Sequence, residues 1–196
     1  YSLLCHPSGG VVDDILVYCR AEDRFLLCVN ASNIDKDFAW IAAHCGAAIA
    51  ENRSDDFALL ALQGPQATKI LTPLTALALA AIPPFSFAQC AVAGRSTLVS
   101  HTVYTGEDAW ELYCAPQDAV ALWTAILEAG APLNIRPAGL GARDTLRLER
   151  ALPLYGHELT DETTPLEAGL GWVVRLAKPP FIGREALRRQ RAAGLP

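Results

Sequence analysis

The sequence predicts an α+β fold, in which strands and helices are mixed without strict alternation. Several short segments alternate apolar and polar residues, as half-buried strands do, and others repeat apolar residues at the spacing of a helix face. The chain has 196 residues, enough for one large domain or two small ones. Its composition, 52% apolar and 19% charged residues, excludes a disordered chain.

Strand patterns dominate the first part of the chain. Residues 1–4 resemble the middle of a strand. A hairpin follows, with predicted strands over 11–19 and 25–29 and a turn between them. Apolar residues then recur at helical spacing up to Gly46, which predicts a helix with Ser32 as its N-cap.

The remaining elements are predicted from strand patterns, helix breakers and amphipathic periodicity. The predicted strands cover 57–63, 95–103 and 109–114. The predicted helices cover a segment opened by Pro65, an Ala- and Leu-rich segment at 72–84, and the segments 118–129, 142–150 and 183–194. In the helix at 118–129, the apolar stripe is formed by Val120, Trp123 and Leu127.

Charge and ligand spacing exclude several classes of function. With 16 Lys and Arg against 21 Asp and Glu, the chain has a net charge of −5, which argues against binding to duplex DNA. No apolar run reaches the roughly 18 residues of a membrane-spanning helix. The six cysteines form no C-x-x-C pair and the four histidines are scattered, so we predict free thiols in a reducing compartment and no metal site.

The first chemical feature is a pair of neighbouring acids on a predicted strand, in the segment Gly-Gly-Val-Val-Asp-Asp at 9–14. Because strand side chains alternate between faces, Asp13 shares an apolar row with Val11, and Asp14 shares one with Val12. At least one carboxylate is therefore predicted to face a core or a cleft, where it needs partners. In the alternative interpretation, one acid is in solvent and the other is hydrogen-bonded to the glycine turn.

The second feature is the acidic turn at 104–108 and the strand that follows it. Glu107 and Asp108 are expected at the tip of the turn, in solvent. Glu111 is predicted to lie inside the strand, where a carboxylate can accept paired hydrogen bonds from a guanidinium or from the amidine-like edge of a pterin. The alternative interpretation is a strand residue that faces the surface.

The last features are arginines near glycines and a basic tail. Arg143 follows two glycines at the start of a predicted helix, a position that suits an anionic or carbonyl ligand, although the third glycine of a dinucleotide fingerprint is missing. Arg147 and Glu149 are interpreted as structural ion-pair residues. From residue 175 onward six basic residues stand against one acid, which indicates either a solvated helix face or a docking patch for an acidic partner.

Together these motifs resemble the aminomethyltransferase family, the tetrahydrofolate-dependent T component of the glycine cleavage system. The matching strings follow the family's order over nearly the whole chain. They are Gly-Gly-Val-Val-Asp-Asp (9–14), Ala-Leu-Gln-Gly-Pro (61–65), Tyr-Thr-Gly-Glu-Asp (104–108), Gly-Leu-Gly-Ala-Arg-Asp-Thr-Leu-Arg-Leu-Glu (139–149), Leu-Tyr-Gly-His-Glu (154–158), Thr-Thr-Pro-Leu-Glu (163–167), Gly-Leu-Gly-Trp (169–172) and Phe-Ile-Gly-Arg-Glu (181–185). The sequence departs from the family at Val103, where a glycine is usual.

The resemblance implies a fragment, and so does a chain that begins at Tyr1 without Met or a signal peptide. Family members fold as a three-domain cloverleaf around the folate. Residues 1–62 are then expected to be a ferredoxin-like second domain that is truncated at its N-terminus. Residues 63–196 are expected to be part of the folate-binding first domain, with the C-terminal barrel absent. The family also implies a monomer in the bacterial cytoplasm or the mitochondrial matrix.

The resemblance further implies a role for each site residue. Asp14 matches the catalytic acid beside the reactive pterin nitrogens. Glu111 matches the carboxylate that binds the amino edge of the pterin, and Arg143 matches the folate-contacting arginine. The positions that line the pocket match Tyr104, Asn30 and Trp172.

The implied reaction transfers a methylene group from an aminomethyl-lipoyl arm to tetrahydrofolate, the acceptor substrate, with release of ammonia. The lipoyl arm belongs to the acidic H carrier protein of glycine cleavage, and the basic tail is a candidate contact for it. No nucleic acid or membrane partner is implied. Two alternatives remain: a folate-dependent demethylase paralogue, and a folate-binding or scaffold module without turnover.

Overall fold

The computed structural model describes residues 1–194 and divides the chain into two compact units. Unit 1 contains residues 1–52 and the segment from residue 153 onward, and unit 2 contains residues 53–152. The boundary predicted between residues 62 and 63 lies within unit 2, in the strand Ala58–Gln63, and it stays a prediction. The assignment of the two segments to a ferredoxin-like and a folate-binding domain stays a prediction.

Seven strands and five α-helices make up the regular structure of the described chain. The strands are β1 (Ser2–Cys5), β2 (Val11–Ala21), β3 (Arg24–Cys28), β4 (Ala58–Gln63), β5 (Phe87–Val92), β6 (Arg95–Ser100) and β7 (Ala109–Cys114). The helices are α1 (Ile34–His44), α2 (Ala67–Leu71), α3 (Ala119–Gly130), α4 (Leu140–Glu149) and α5 (Arg184–Ala193). All strand pairs of the two sheets are antiparallel, which confirms the α+β prediction.

Unit 1 is built on a three-stranded sheet with the order β1-β2-β3. At the start of β2, Val11 and Val12 are both buried, so the strand is covered on its two faces where the acid pair begins. Val11 packs with Leu159 and Leu170, which come from the part of the chain that returns to unit 1. This buried end of β2 holds the acid pair away from bulk water.

Unit 2 contains a four-stranded sheet with the order β4-β7-β6-β5, so β7 is a central strand. Every residue of β7 is buried except Glu111, which is half-buried. Leu112 from β7 packs in the same apolar core as Leu122 from α3 and Leu71 from α2. The helices thus cover one face of the sheet, and Glu111 lies on the other face because strand side chains alternate.

The predicted helix over 72–84 is wrong. The structure has only two short 3₁₀ turns there, Thr72–Leu74 and Leu79–Ala81. Thr75 between them is extended and forms a β-bridge with Val92. Backbone pairing with the neighbouring strand therefore overrides the helix propensity of an Ala- and Leu-rich segment.

Two further predictions need correction. The strand predicted over 95–103 ends at Ser100. In α3 the predicted stripe is not the buried one, since Val120 and Trp123 are 77% and 42% exposed while Leu122 and Ile126 are buried. Both faces of α3 are apolar, so periodicity alone could not decide which face packs on the sheet.

All six cysteines are free thiols; Cys5 and Cys114 are buried, and Cys19 is exposed. Within residues 1–194 we find no helix with the length and apolar character needed to cross a membrane.

The start of β2 leaves no room for a side chain at Gly10, which gives a first prediction. A Cβ there would lie 1.8 Å from the carbonyl oxygen of Asp161, a backbone atom that cannot move aside cheaply. Gly10→Ala is therefore expected to lower the free energy of unfolding, measured in urea, by about 3 kcal/mol, as in overpacked cores.

Gly171→Ala is the matched control, because it adds a Cβ in the same unit at ordinary contact distance, 3.5 Å from Leu166. Its effect is expected to stay within about 1 kcal/mol. Equal stabilities of the Gly10→Ala variant and the parent chain would contradict this packing.

Candidate functional site

The carboxylate of Asp13 is the centre of a buried polar group in unit 1. It is 0% exposed and accepts three hydrogen bonds. Its Oδ1 accepts from the Asp14 backbone N–H at 2.9 Å and from Asn30 Nδ2 at 2.8 Å, and its Oδ2 accepts from Asn33 Nδ2 at 3.0 Å. We call Asp13, Asp14, Asp37, Asn30 and Asn33 the aspartate cluster. Burial of an acid, predicted for this strand, is confirmed for Asp13, but its partners are asparagines rather than the glycine turn.

Asp14 is the half-buried member of the acid pair. Its Oδ1 accepts from Asn30 Nδ2 at 3.1 Å, and its Oδ2 accepts from the Tyr1 hydroxyl at 3.1 Å. Burial raises the pKa of Asp14, and the charge of Asp13 adds to this, while the hydrogen bonds from Asn30 and Tyr1 oppose it. The side chain is therefore oriented by two donors in a site that is only partly hydrated.

The two asparagines come from the connection between β3 and α1. Asn30 precedes a 3₁₀ turn, Ala31–Asn33, that leads directly into the helix. The N-cap of α1 is Asn33 rather than the predicted Ser32, and Asn33 makes no capping hydrogen bond. Its amide donates to Asp13 instead, so the end of the helix supports the aspartate cluster at the expense of its own cap.

An aromatic pair lies beside Asp14. The ring of Trp172 stacks on that of Tyr1, with centroids 5.9 Å apart and an angle of 20° between the planes. Trp172 is 61% exposed, whereas the Tyr1 hydroxyl reaches Asp14. The predicted residues Asp14, Asn30 and Trp172 are thus brought together in unit 1, the last of them through Tyr1.

Lys36 and Asp161 both contact Tyr155 in unit 1, and Lys36 also contacts the strand that carries the acid pair. The ammonium of Lys36 donates to the carbonyl of Val12 and lies 3.7 Å from the centroid of the Tyr155 ring. The Tyr155 hydroxyl donates to Asp161 at 3.1 Å, and His6 Nε2 lies 2.9 Å from the same carboxylate. The hydrogen bond from His6 holds the pKa of Asp161 below its usual range.

Glu111 occupies the interior of a strand in unit 2, as predicted. Its register partners are Ala61 on β4 and Ser100 on β6. The Thr102 hydroxyl donates to Glu111 Oε2, and Ser100 Oγ lies 3.3 Å from the same hydroxyl. The carboxylate is therefore half-buried on one face of the sheet and oriented by a neighbouring hydroxyl.

Tyr104 and Arg143 form a second pair in unit 2. The Arg143 guanidinium lies over the Tyr104 ring, 4.3 Å from its centroid, which is the geometry of a cation–π contact.

Arg147, by contrast, is buried and bonds Asp144 through Nε at 2.8 Å and Nη2 at 2.6 Å. Its predicted structural role is confirmed; Glu149 is not its partner in this bond.

The acidic turn between β6 and β7 is fixed by side chains of unit 2. Glu107 is exposed and pairs with Arg150 at 2.5 Å. Asp108, predicted to be in solvent, is half-buried, and its Oδ2 accepts from the Thr68 backbone N–H at 3.1 Å.

Val103 stands where the family usually has a glycine. Its backbone is not in the left-handed region and its side chain is 39% exposed, so a valine fits the local backbone.

Metal ligation has no support in the described part of the chain. Among residues 1–194 there is no group of three or more His, Cys, Asp or Glu side chains placed to hold a metal ion. Within the aspartate cluster, the asparagine amides donate to Asp13 and Asp14.

Comparison with known families decides the relationship of this chain. A family model described as the GCVT N-terminal domain matches residues 1–178. The chain belongs to this family. It is 54% identical over 199 aligned residues to the aminomethyltransferase of Geobacillus thermodenitrificans, covering 100% of this chain and 54% of that protein. It is 49% identical to the aminomethyltransferase of Bacillus subtilis, over 99% of this chain and 54% of that protein.

Solved structures agree with the sequence relatives. The glycine cleavage system aminomethyltransferase T from Bartonella henselae superposes with a TM-score of 0.86 at 32% identity, covering 99% of this chain and 53% of that one. A heterotetrameric sarcosine oxidase from Corynebacterium has a TM-score of 0.51 at 17% identity, over 70% of this chain and 72% of that one, which shows a shared fold alone. The chain spans about half the length of the curated relatives it matches.

Sequence reasoning missed four residues of these sites. Tyr1, Asn33 and Asp37 surround the acid pair, and Thr102 orients Glu111. Helical periodicity describes Asp37 only as a polar residue of an amphipathic helix. The acid pair itself was the one available signal. Two neighbouring acids on a buried strand need hydrogen-bond donors, which have to come from residues packed beside them.

Asn30→Ala tests the electrostatics of the aspartate cluster. Because the Asn30 amide lowers the pKa of Asp14, its removal is expected to raise that pKa further above the usual range of an aspartate. Carbon-13 NMR titration of labelled aspartates measures the shift. Asp161, whose pKa is set mainly by His6, is the internal control and should titrate as before; an unchanged Asp14 would contradict the assignment.

Proposed function

We propose that this chain carries tetrahydrofolate-binding and catalytic residues for the aminomethyl transfer of glycine cleavage. In this reaction a methylene carbon passes from an aminomethyl-lipoyl arm to tetrahydrofolate, and ammonia and the dihydrolipoyl thiol are released. The observation that carries the proposal is the Asp14 carboxylate, half-buried and held by Asn30 and Tyr1 in a chain of the GCVT N-terminal domain family.

Asp14 is proposed as the catalytic acid of the site. Positive charge develops on the transferred carbon as ammonia leaves, and a preoriented carboxylate in a partly dehydrated site stabilises that charge more than water would. Since the two donors fix its orientation, no reorganisation is needed at the moment of reaction. Positioning of the folate by the same carboxylate supplies the rest of the effect.

Glu111 is proposed to bind the amino edge of the pterin. Two carboxylate oxygens can accept a pair of parallel N–H donors, as in carboxylate–guanidinium pairs. The strand interior and the Thr102 hydroxyl hold this carboxylate in one orientation. A rigid acceptor loses little conformational entropy on binding, which favours a specific contact.

The other proposed folate-contacting residues offer aromatic faces and a cation. Arg143 is proposed to contact the folate, and its guanidinium is already oriented over the Tyr104 ring. Tyr104 and Trp172 present rings on which a flat heterocycle can pack. Asn30 is proposed to line the pocket, although its amide is committed to Asp13 and Asp14.

The proposed macromolecular partner is the acidic, lipoyl-bearing H carrier protein. Helix α5 exposes Arg188, Arg189 and Arg191 on a chain whose net charge is −5. Basic side chains grouped on one helix speed the encounter with an acidic surface more than they add to final affinity. Relatives that are aminomethyltransferases favour aminomethyl transfer over demethylation, because the sarcosine oxidase shares only the fold.

Calorimetric titration of tetrahydrofolate into this chain tests the proposal. Glu111→Gln replaces one acceptor oxygen by a donor and removes the charge, so binding is expected to weaken by about 10- to 100-fold, the value of a charged hydrogen bond. Glu128→Gln, an exposed change on α3 of the same unit, is the control and should bind as the parent does. Circular dichroism confirms that all three proteins are folded.

Two outcomes count against the proposal. Equal binding by the parent and the Glu111→Gln variant would remove Glu111 from the folate site, and no binding by the folded parent would remove the folate site from this chain. Ammonia release from an aminomethylated lipoyl carrier, compared with product formed from a methylated amine, then separates transfer from demethylation.

A further inference from the structure

Asp37 on α1 has a side chain that the proposed reaction leaves unexplained. It is 0% exposed, and within the described residues neither of its carboxylate oxygens accepts a hydrogen bond. Leaving a buried carboxylate ionised and unpaired is one of the costliest arrangements in a folded protein, and such a group takes up a proton instead.

The nearest cation does not satisfy Asp37. Lys36 Nζ lies 3.9 Å from Asp37 Oδ1, beyond hydrogen-bonding distance. The same ammonium donates to the Val12 carbonyl and lies over the Tyr155 ring. Lys36 is therefore oriented by other groups, and it attracts Asp37 by its charge without donating a hydrogen bond to it.

Asp13 offers the acceptor that a protonated Asp37 requires. Its Oδ1 already accepts from two donors, whereas its Oδ2 accepts only from Asn33, so in the described chain one lone pair of Oδ2 is unused. After burial, hydrogen bonding with Asp13 and the charge of Asp13 are the main causes that raise the pKa of Asp37, which makes the two carboxyl groups neighbours. As two carboxylates they can only repel each other, but one proton between them makes a hydrogen bond.

We propose that Asp37 is a positioning residue that stays protonated and donates a hydrogen bond to Asp13. Asp13 in turn holds Asn33 and Asn30, and Asn30 also donates to Asp14. Asp13 then accepts four hydrogen bonds, and the aspartate cluster carries one negative charge fewer. The inference rests on the proposed function only in giving Asp14 its catalytic role.

The electrostatics of the surroundings support this arrangement. Burial raises the pKa of Asp37 to about 8, and Asp13 and Asp14 on β2 add to the rise through their charges. The charge of Lys36 opposes this rise, and Lys36 in turn interacts with the Tyr155 ring and with Asp161. The proton is thus held at neutral pH and lost above about pH 8.

Because the pKa of Asp37 is raised in the folded chain, the free energy of unfolding depends on pH. In the unfolded chain Asp37 ionises near its usual value of 3.8, while in the folded chain it ionises near 8. The folded state binds more protons between these values, so the stabilisation is complete below pH 3.8 and is lost as the pH rises through about 8. Removing the titratable group removes this dependence.

Asp37→Asn tests the proposal, because asparagine keeps a donor for Asp13 and cannot ionise. Asp35→Asn, an exposed change on the same helix, is the matched control. Carbon-13 NMR of the parent chain should show one carboxyl titrating near pH 8, absent from Asp37→Asn and retained in the control. Between pH 6 and pH 9 the parent and control should lose at least about 5 °C more in melting temperature than Asp37→Asn.

Turnover gives the third readout. With an aminomethylated carrier and tetrahydrofolate, Asp37→Asn should keep KM and kcat within about threefold at pH 7 but lose the alkaline decline of kcat. Asp37→Leu, which fills the site without a donor, should lose kcat at all pH values; if it fails to fold, the asparagine variant still decides.

The proposal is overturned if Asp37 titrates near pH 4, or if the parent and Asp37→Asn share one pH dependence of melting. These two measurements need no folate. A lack of turnover in every protein would therefore count against the proposed function, while the titration would still decide the role of Asp37.

Discussion

The buried carboxylate of Asp13 is the interaction on which the rest of the site depends. A charge removed from water is tolerated only when its oxygens are paired, and three donors meet it here. These donors come from β2 itself and from the connection between β3 and α1. The Asp13 side chain therefore links the sheet to the start of the helix by hydrogen bonds. Asp14 then takes its orientation from Asn30, which bonds both acids.

This arrangement separates two tasks between neighbouring residues. Asp13 is fully buried and structural, whereas Asp14 is half-buried and has two donors on its oxygens. The two acids differ in exposure and partners, although the same Asn30 amide donates to both carboxylates. At the start of β2, Gly10 approaches the Asp161 backbone closely, and Val11 and Val12 beside the acid pair are buried.

The sequence predicts the elements better than the contacts within them. Alternating patterns correctly predict β2, β4 and β7, and hence the interior position of Glu111 and the burial of one acid. They cannot tell which apolar face of α3 is covered, or that Thr75 pairs with a strand. The capping pattern pointed to Ser32, because such a pattern does not show that a buried carboxylate binds the amide of the neighbouring Asn33.

Asp13 and Asn30 are expected to be energetically coupled through a buried charged hydrogen bond. A double-mutant cycle of Asp13→Ala and Asn30→Ala, measured by urea unfolding of the four proteins, tests it most directly. We expect a coupling free energy of about 1.5–3 kcal/mol, the range for hydrogen bonds to charged groups. Additive effects, with a coupling below about 0.5 kcal/mol, would contradict the account and leave Asp14 without its organising neighbour.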